Sequence, residues 1–164
     1  MNLRKHSVTL SAIALVLAAG GAQAGQATAN LDVTVTITST CSIATATDVG
    51  FGSVASTATG VQAAGRLDVN CTPGTEYQIA LDAGKNAGGD VNARAMKGAG
   101  GTLVPYQLFQ DESRSIRWGS AHETDTVGGV GTGSVQQVPV YGHLPSANFA
   151  AGSYADTITA TITY

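Results

Sequence analysis

Residues 27–38 read ATANLDVTVTIT, and residues 154–164 read YADTITATITY. Both stretches alternate apolar and polar side chains, and successive side chains of a β-strand point to opposite faces. Each stretch therefore predicts a strand with one apolar face. The apolar face of the first consists of Ala27, Ala29, Leu31, Val33, Val35 and Ile37, and that of the second of Tyr154, Ile158, Ala160, Ile162 and Tyr164.

Shorter runs rich in Val, Ile, Thr and Tyr lie between these stretches, at residues 66–71, 77–81, 103–110 and 134–141. Clusters of Gly, Asn, Asp and Pro separate them, and no helical periodicity longer than a turn or two follows residue 24. Pro139 has no N–H for a central ladder and predicts an edge or bulged strand. Short strands at this spacing favour an all-β, immunoglobulin-like β-sandwich over a barrel.

The composition limits the classes of protein to which the chain can belong. Its 164 residues suffice for one domain, and 43% hydrophobic against 12% charged residues excludes disorder driven by charge. Eight Lys and Arg against eleven Asp and Glu leave no basic face for a nucleic acid. We therefore expect a folded domain with no nucleic-acid partner.

The first residues have the order of a secretory signal. Arg4 and Lys5 precede an apolar stretch at residues 8–18, and Ala22-Gln23-Ala24 supplies the small residues that signal peptidase accepts. The apolar stretch has about eleven residues, whereas a membrane-spanning helix needs roughly 20. We therefore predict a signal peptide at residues 1–24 that is cleaved on export, rather than a membrane anchor, and no insertion of the mature chain into a membrane.

The two cysteines predict one disulfide. An exported chain meets an oxidising compartment, where Cys41 and Cys71 would close a loop of about 30 residues and add roughly 3 to 4 kcal/mol of stability. A zinc site is the weaker alternative, because the thiols are not closely spaced and His122 and His143 lie in separate turns. We expect no bound metal and no cofactor.

No residue pattern predicts catalysis. The serines lack a nucleophile-elbow frame, and no predicted helix follows the glycine-rich run at 129–133 to present its N-terminus to a phosphate. We therefore expect no enzymatic activity. Trp118 is typical of a core residue, and the alternative is a glycan-stacking surface that it would form with Tyr106 and Tyr141.

The two one-sided strands suggest how the chain associates. An apolar strand that stays exposed promotes aggregation, so we expect the strand at 27–38 to be covered and the last strand to have an open edge. The strand at 27–38 can fold back into its own sandwich or insert into the next copy of the chain. Insertion is a head-to-tail contact, which produces a fibre when the rotation does not close.

Several short segments together resemble one known family. In order along the chain they are Cys41, Val49-Gly50-Phe51-Gly52, Cys71, Tyr106-Gln107-Leu108 with Asp111, Val138-Pro139-Val140-Tyr141-Gly142, and Gly152-Ser153-Tyr154-Ala155-Asp156-Thr157 through to Tyr164. This series covers nearly all of residues 25–164 and resembles the spore coat protein U domain family. Members of that family are similar to the pilin subunits of archaic chaperone-usher pili.

The resemblance implies a fold and a mode of assembly. The fold is an incomplete immunoglobulin-like sandwich of the pilin type at residues 39–164, completed by a donated strand, and residues 25–38 are the donor strand. A periplasmic chaperone would lend a strand during export, and an outer-membrane usher would assemble homologous pilin subunits into a pilus. The resemblance thus implies secretion through the periplasm to a cell-surface pilus, with roles in cell adhesion and biofilms.

The resemblance also assigns a role to each apolar face. The face from Ala27 to Ile37 would fill the groove of a neighbouring subunit, and the face from Tyr154 to Tyr164 would line one side of that groove and bind the chaperone. Two alternatives remain at this point. They are a secreted spore or cell-surface coat protein and a monomeric glycan-binding module.

Overall fold

The computed structural model describes residue 21 and residues 24–164. The predicted signal peptide therefore lies almost entirely outside the described residues. The chain divides into two units, Met1–Thr36 and Ile37–Tyr164. Within the described part of the chain, no helix has the length and apolarity needed to cross a membrane.

The second unit is built from strands, which confirms the all-β prediction. Its elements are β1 (Cys41–Thr47), β2 (Thr59–Cys71), β3 (Glu76–Leu81), a 3-10 turn (Val91–Ala93), β4 (Ala95–Gly98), β5 (Leu103–Pro105), β6 (Gln107–Phe109), β7 (Val127–Val130), β8 (Gln136–Ser146), β9 (Tyr154–Ala155) and β10 (Ala160–Thr163). They form three antiparallel sheets with the orders β1-β2-β8-β6, β10-β3-β7 and β5-β4-β9.

The predicted strand at 103–110 is divided between two sheets. Val104, Tyr106 and Leu108 are all buried, so the predicted alternation continues through the whole run. The pairing partner changes at Tyr106, because β5 pairs with β4 whereas β6 pairs with β8. Side-chain periodicity records which face is buried and contains no information on the partner strand.

The prediction that Pro139 marks an edge or bulged strand is wrong for β8 as a whole, because β8 lies between β2 and β6 and its register with β2 contains no shift. Pro139 itself is opposite Arg66 of β2, and β6 contacts β8 only from Tyr141 to His143. The residue therefore sits where β8 has a ladder on one side alone. A missing N–H is tolerated there as it is on an edge strand.

The predicted strand at 154–164 is also divided. β9 pairs with β4 and β10 pairs with β3, whereas residues 156–159 belong to neither ladder. The predicted alternation is present, since even-numbered side chains from Tyr154 to Ile162 are half-buried and the odd-numbered ones are exposed. Tyr164 departs from the pattern with 57% of its surface exposed.

The stretch at 27–38, predicted to be a strand, carries no strand in the structure. Leu31, Val33, Val35 and Ile37 are 80–89% exposed, and Ala27 and Ala29 are exposed as well. A strand is defined by its ladder to a partner, so an alternating sequence alone does not create one. The stretch has the composition of a strand without the pairing.

The core of the second unit contains the single tryptophan. Trp118, Ile79 and Val69 are fully buried, and the indole Nε1 of Trp118 donates a hydrogen bond of 2.8 Å to the carbonyl of Ile79. This confirms the core prediction for Trp118. It also removes the glycan-stacking surface, because Trp118 and Tyr106 are both inaccessible and Tyr141 alone is half-exposed.

Two of the sequence segments that carry the family resemblance pack on each other. A Cβ at Gly142 of β8 would lie 2.5 Å from Cγ1 of Val49 and 3.0 Å from the ring of Phe51. A Cβ at Gly65, which pairs with Val140 beside it, would likewise collide with Val49. Glycine at both positions therefore lets the segment after β1 lie directly on the sheet.

Candidate functional site

An open groove runs through the second unit. Its volume is about 1110 Å³, which is above the roughly 300–1,000 Å³ of small-molecule pockets. One side consists of β1 with the segment that follows it to Ser56, and the other of residues 147–160. The base is apolar and consists mainly of Leu67, Leu81, Val104, Tyr106, Leu108, Val140 and Leu144.

Each side of the groove adjoins a terminal strand of a sheet, because β1 contributes to the first side and the second side reaches β10 at Ala160. β1 pairs only with β2, and β10 pairs only with β3, among the described residues. Each strand therefore has one edge without a ladder, and unpaired N–H and C=O groups on such an edge can accept a further strand. A single inserted strand between β1 and β10 would supply partners to both edges and cover the apolar base.

The predicted acceptor residues divide into two groups. Tyr154, Ile158 and Ala160 line the groove. Ile162 packs against the core beyond it, and Tyr164 is exposed. Tyr154, Ile158 and Ala160 are only half-buried although they face the apolar interior, because the groove beside them is open.

The predicted disulfide is present and holds one side of the groove. Cys41 and Cys71 are bonded with an S–S distance of 2.02 Å and stand opposite each other in the β1–β2 ladder. Thr40 and Thr72 extend the connection, because the amide of Thr72 donates to the carbonyl of Thr40 at 2.9 Å and the amide of Thr40 donates to Oγ1 of Thr72 at 3.0 Å. β1 is therefore fixed to β2 at its first residue.

Asp156 ties the other side of the groove to a neighbouring loop. Its Oδ2 accepts a hydrogen bond from the Tyr106 hydroxyl at 2.8 Å, and its Oδ1 accepts from Nδ2 of Asn86 at 2.9 Å and from the amide of Lys85 at 3.0 Å. Gly84 lies against this carboxylate with φ of +78°, a conformation and a clearance that only glycine offers. Asp156 thus joins the base, the side and the loop at 84–86.

A second carboxylate holds the same segment three residues further on. Oδ1 of Asp82 accepts hydrogen bonds from the amides of Gly84 and Thr159, both at 2.9 Å, and the Asp82 amide donates to the Thr159 carbonyl at 3.0 Å. Burial disfavours the ionised carboxyl, but the amide hydrogen bonds outweigh it and lower the pKa of Asp82 below its ordinary value. The charged form is therefore the one that binds the segment.

Tyr106 connects this network to the groove base in its protonated form. Burial, followed by the hydrogen bond to Asp156, raises the pKa of the Tyr106 hydroxyl well above its ordinary value. The hydroxyl therefore remains a donor at every physiological pH. Its ring lines the groove and meets the ring of Phe51 edge-on, with centroids 6.5 Å apart.

A buried arginine supports the groove from below and was missed by the sequence analysis. Arg94 is fully buried and donates to the carbonyls of Leu81, Asp82 and Trp118 at 2.6–2.9 Å. Burial lowers the pKa of its guanidinium, although nearby acidic groups oppose that effect. A single arginine between Ala93 and Ala95 gives no sequence signal that separates a buried from an exposed side chain.

The groove has the shape of a binding site. Among residues 24–164 as described, no cluster of three His, Cys, Asp or Glu side chains could hold a metal ion. Two of the polar residues that line the groove, Asp156 and Tyr106, are hydrogen-bonded to each other. The groove also offers apolar side chains and strand edges, which are the features that bind an extended polypeptide.

Comparisons with known proteins agree with this geometry. Residues 27–161 match the Spore Coat Protein U domain. The chain is 36% identical over 119 residues to Protein U of Myxococcus xanthus, a match that covers 68% of this chain and 66% of that protein. The chain therefore spans slightly less than two thirds of the length of Protein U.

The fold is similar to a chain in the crystal structure of the CsuC–CsuE chaperone–tip adhesion subunit pre-assembly complex from archaic chaperone-usher Csu pili of Acinetobacter baumannii. The TM-score is 0.56 and the sequence identity is 26%, and the match covers 79% of this chain and 41% of that chain. The fold is thus an incomplete immunoglobulin-like sandwich, similar to that of a chaperone-usher pilus subunit.

Proposed function

Because the chain belongs to the Spore Coat Protein U domain family, we propose that it is a structural subunit of a surface fibre in which residues 25–38 of one copy insert into the groove of the next. The observation that carries the proposal is the apolar groove between the unpaired edges of β1 and β10. A groove with two open edges is completed by one extended segment.

The stretch at 27–37 supplies a segment of matching chemistry. Eleven extended residues span about 36 Å at roughly 3.3 Å each, which is enough to follow a whole sandwich. Leu31, Val33, Val35 and Ile37 are 80–89% exposed, so burying these four side chains at about 1.5–3 kcal/mol each gains about 6–12 kcal/mol before ordering costs. Ala27 and Ala29 continue the same face with smaller side chains.

The same groove suits a partner during export. We infer that Tyr154, Ile158 and Ala160, which line its second side, bind a strand lent by a periplasmic chaperone before an outer-membrane usher joins the subunits. The likeness to a chain from a chaperone–subunit complex supports this proposal. The fibre would then lie at the cell surface, and the domain would act by assembly rather than by catalysis.

A secreted coat on a cell or spore surface is the second candidate, favoured by the 36% identity to Protein U and by the family it shares. Immunoelectron microscopy of producing cells separates the two. Labelled filaments that extend from the surface support the fibre, whereas a continuous labelled layer without filaments supports the coat.

The groove itself is tested with protein from residue 39 onward and a synthetic peptide of residues 25–38. Size-exclusion chromatography with light scattering should find the truncated protein aggregated alone and monomeric once the peptide is added. A peptide carrying Val33→Asp is the matched control and should not rescue it. A truncated protein that is already a stable monomer and ignores both peptides would show that the sandwich needs no further strand.

A further inference from the structure

The segment between β9 and β10 forms part of the groove and lies outside both ladders, and one backbone hydrogen bond holds its end, from the Asp82 amide to the Thr159 carbonyl at 3.0 Å. Residues 156–159 belong to no strand, although Tyr154, Asp156 and Ile158 alternate inward as in one. Elsewhere along this side, hydrogen bonds to β4 and β3 keep the backbone in place.

Two carboxylates bind the segment in addition to this backbone bond. Asp156 binds the loop at 84–86 through the amide of Lys85 and the side chain of Asn86, and Asp82 of the adjoining segment binds the amide of Thr159. Hydrogen bonds to an ionised carboxylate are about twice as strong as neutral ones. The segment is therefore anchored at both of its ends.

The Asp156–Tyr106 bond links this anchored segment to the groove base. Tyr106 is buried at the bottom of the groove, and its hydroxyl reaches Oδ2 of Asp156 at 2.8 Å. All of these bonds form within the isolated domain while the groove is open. The side and base are thus held at a fixed separation before any strand enters.

We propose that Asp156, acting through Tyr106 and the loop at 84–86, is a positioning residue that preforms the groove for the incoming strand. This inference rests on the proposed function, because it assumes that the groove accepts a strand. A preformed site binds more tightly since less ordering accompanies binding, and it associates faster since no conformational change precedes it. Asp156 itself contributes no apolar contact to the strand.

The test uses the chain from residue 25 onward with Val33→Asp and Val35→Asp, here called the donor-disabled chain. These two changes keep residues 25–38 of one copy from inserting into the groove of another. A labelled wild-type peptide of residues 25–38 is titrated into it, and the dissociation constant and association rate are measured. Asp156→Asn and Tyr106→Phe are the test variants. Asp111→Asn is the control, because Asp111 also accepts hydrogen bonds from loop amides, at Ser115 and Ile116, but lies outside the groove.

We expect Asp156→Asn to weaken peptide binding about tenfold and Tyr106→Phe about threefold to tenfold, mainly through slower association. Asp111→Asn should change the dissociation constant less than about twofold. The double variant should lose less than the sum of the two single losses, because both changes act on the same hydrogen bond. All titrations are made well below the melting temperature of each variant, so a general loss of stability does not enter the result.

Asp156→Asn with a lower melting temperature but an unchanged dissociation constant would overturn the proposal, because it would make the network a stabiliser of the fold alone. If that variant fails to fold, an unchanged affinity in Tyr106→Phe overturns it equally. A donor-disabled chain that does not bind the peptide at all refutes the proposed function instead. The two failures are therefore distinguishable.

Discussion

The substitution Arg94→Met tests how the groove base is supported. Methionine keeps an unbranched apolar stem at a fully buried position but removes every donor of the guanidinium. Three carbonyls, those of Leu81, Asp82 and Trp118, lose a hydrogen-bond donor. Leu81 lines the groove, so the change acts directly beneath it.

The magnitude follows from the acceptors left without a partner. Each buried carbonyl that loses its donor costs about 1–3 kcal/mol, so three of them cost at least about 3 kcal/mol. Removing a buried charge recovers part of its desolvation penalty, which keeps the net loss near the lower limit. We expect Arg94→Met to lower the free energy of unfolding by about 3 kcal/mol, and Arg94→Lys by less because ammonium donors remain.

Urea unfolding of the donor-disabled chain measures the free energy of unfolding with and without Arg94→Met. The fluorescence of Trp118 is the signal, because the chain contains one tryptophan. Arg66→Met is the matched control. Arg66 is about half exposed and its 3.1 Å ion pair with Asp68 is a surface contact, so its loss should cost less than about 1 kcal/mol. An Arg94→Met protein as stable as Arg66→Met would refute the assignment of Arg94 as a support of the base.

Three further predictions concern assembly, the disulfide and pH. In cells, Val33→Asp should abolish the fibres seen by electron microscopy without reducing export. Thr34→Asp, on the opposite face, should leave the fibres intact. Fibres in the Val33→Asp variant would contradict the donor assignment. Reducing the bond between Cys41 and Cys71 should lower stability by about 3–4 kcal/mol for a separation of 30 residues, seen as a lower melting temperature, and equal melting of both forms would contradict this. Burial disfavours the ionised carboxyl of Asp82, but the amide hydrogen bonds lower its folded-state pKa below the ordinary value. Its contribution to stability is therefore present above the unfolded-state pKa, at about pH 4, and is lost as pH falls through the folded-state pKa. Asp82→Asn should flatten the acid end of a curve of stability against pH, and an unchanged curve would refute the role.

The sequence patterns correctly predicted features that depend on residues close together in the chain. Alternation identified β2, β3, β5, β6, β8 and the inward face from Tyr154 to Ile162, because the two-residue period of a strand is a property of the backbone. The disulfide followed from cysteine number and the expected compartment, and it is present. Trp118 is buried, as its large apolar surface predicted.

The predictions that were wrong depend on which strands become neighbours. Pro139 lies in an inner strand, and the runs at 103–110 and 154–164 each divide between two sheets. Pairing is a long-range choice that a strand's own sequence does not contain. The donor role of residues 25–38 and the chaperone-binding role of Tyr154 to Tyr164 remain predictions.

The sequence by itself determined the all-β fold class of this protein. An alternating, glycine-rich chain with two cysteines has few ways to bury its apolar faces other than a β-sandwich with one disulfide. Only the tertiary structure decided that β1 and β10 end their sheets on either side of an apolar groove, and that Asp82, Asp156 and Arg94 hold it. The reason is physical. Periodicity is set by neighbours along the chain, whereas a groove and its polar supports are set by residues that are distant in sequence, and meet only after the strands have paired.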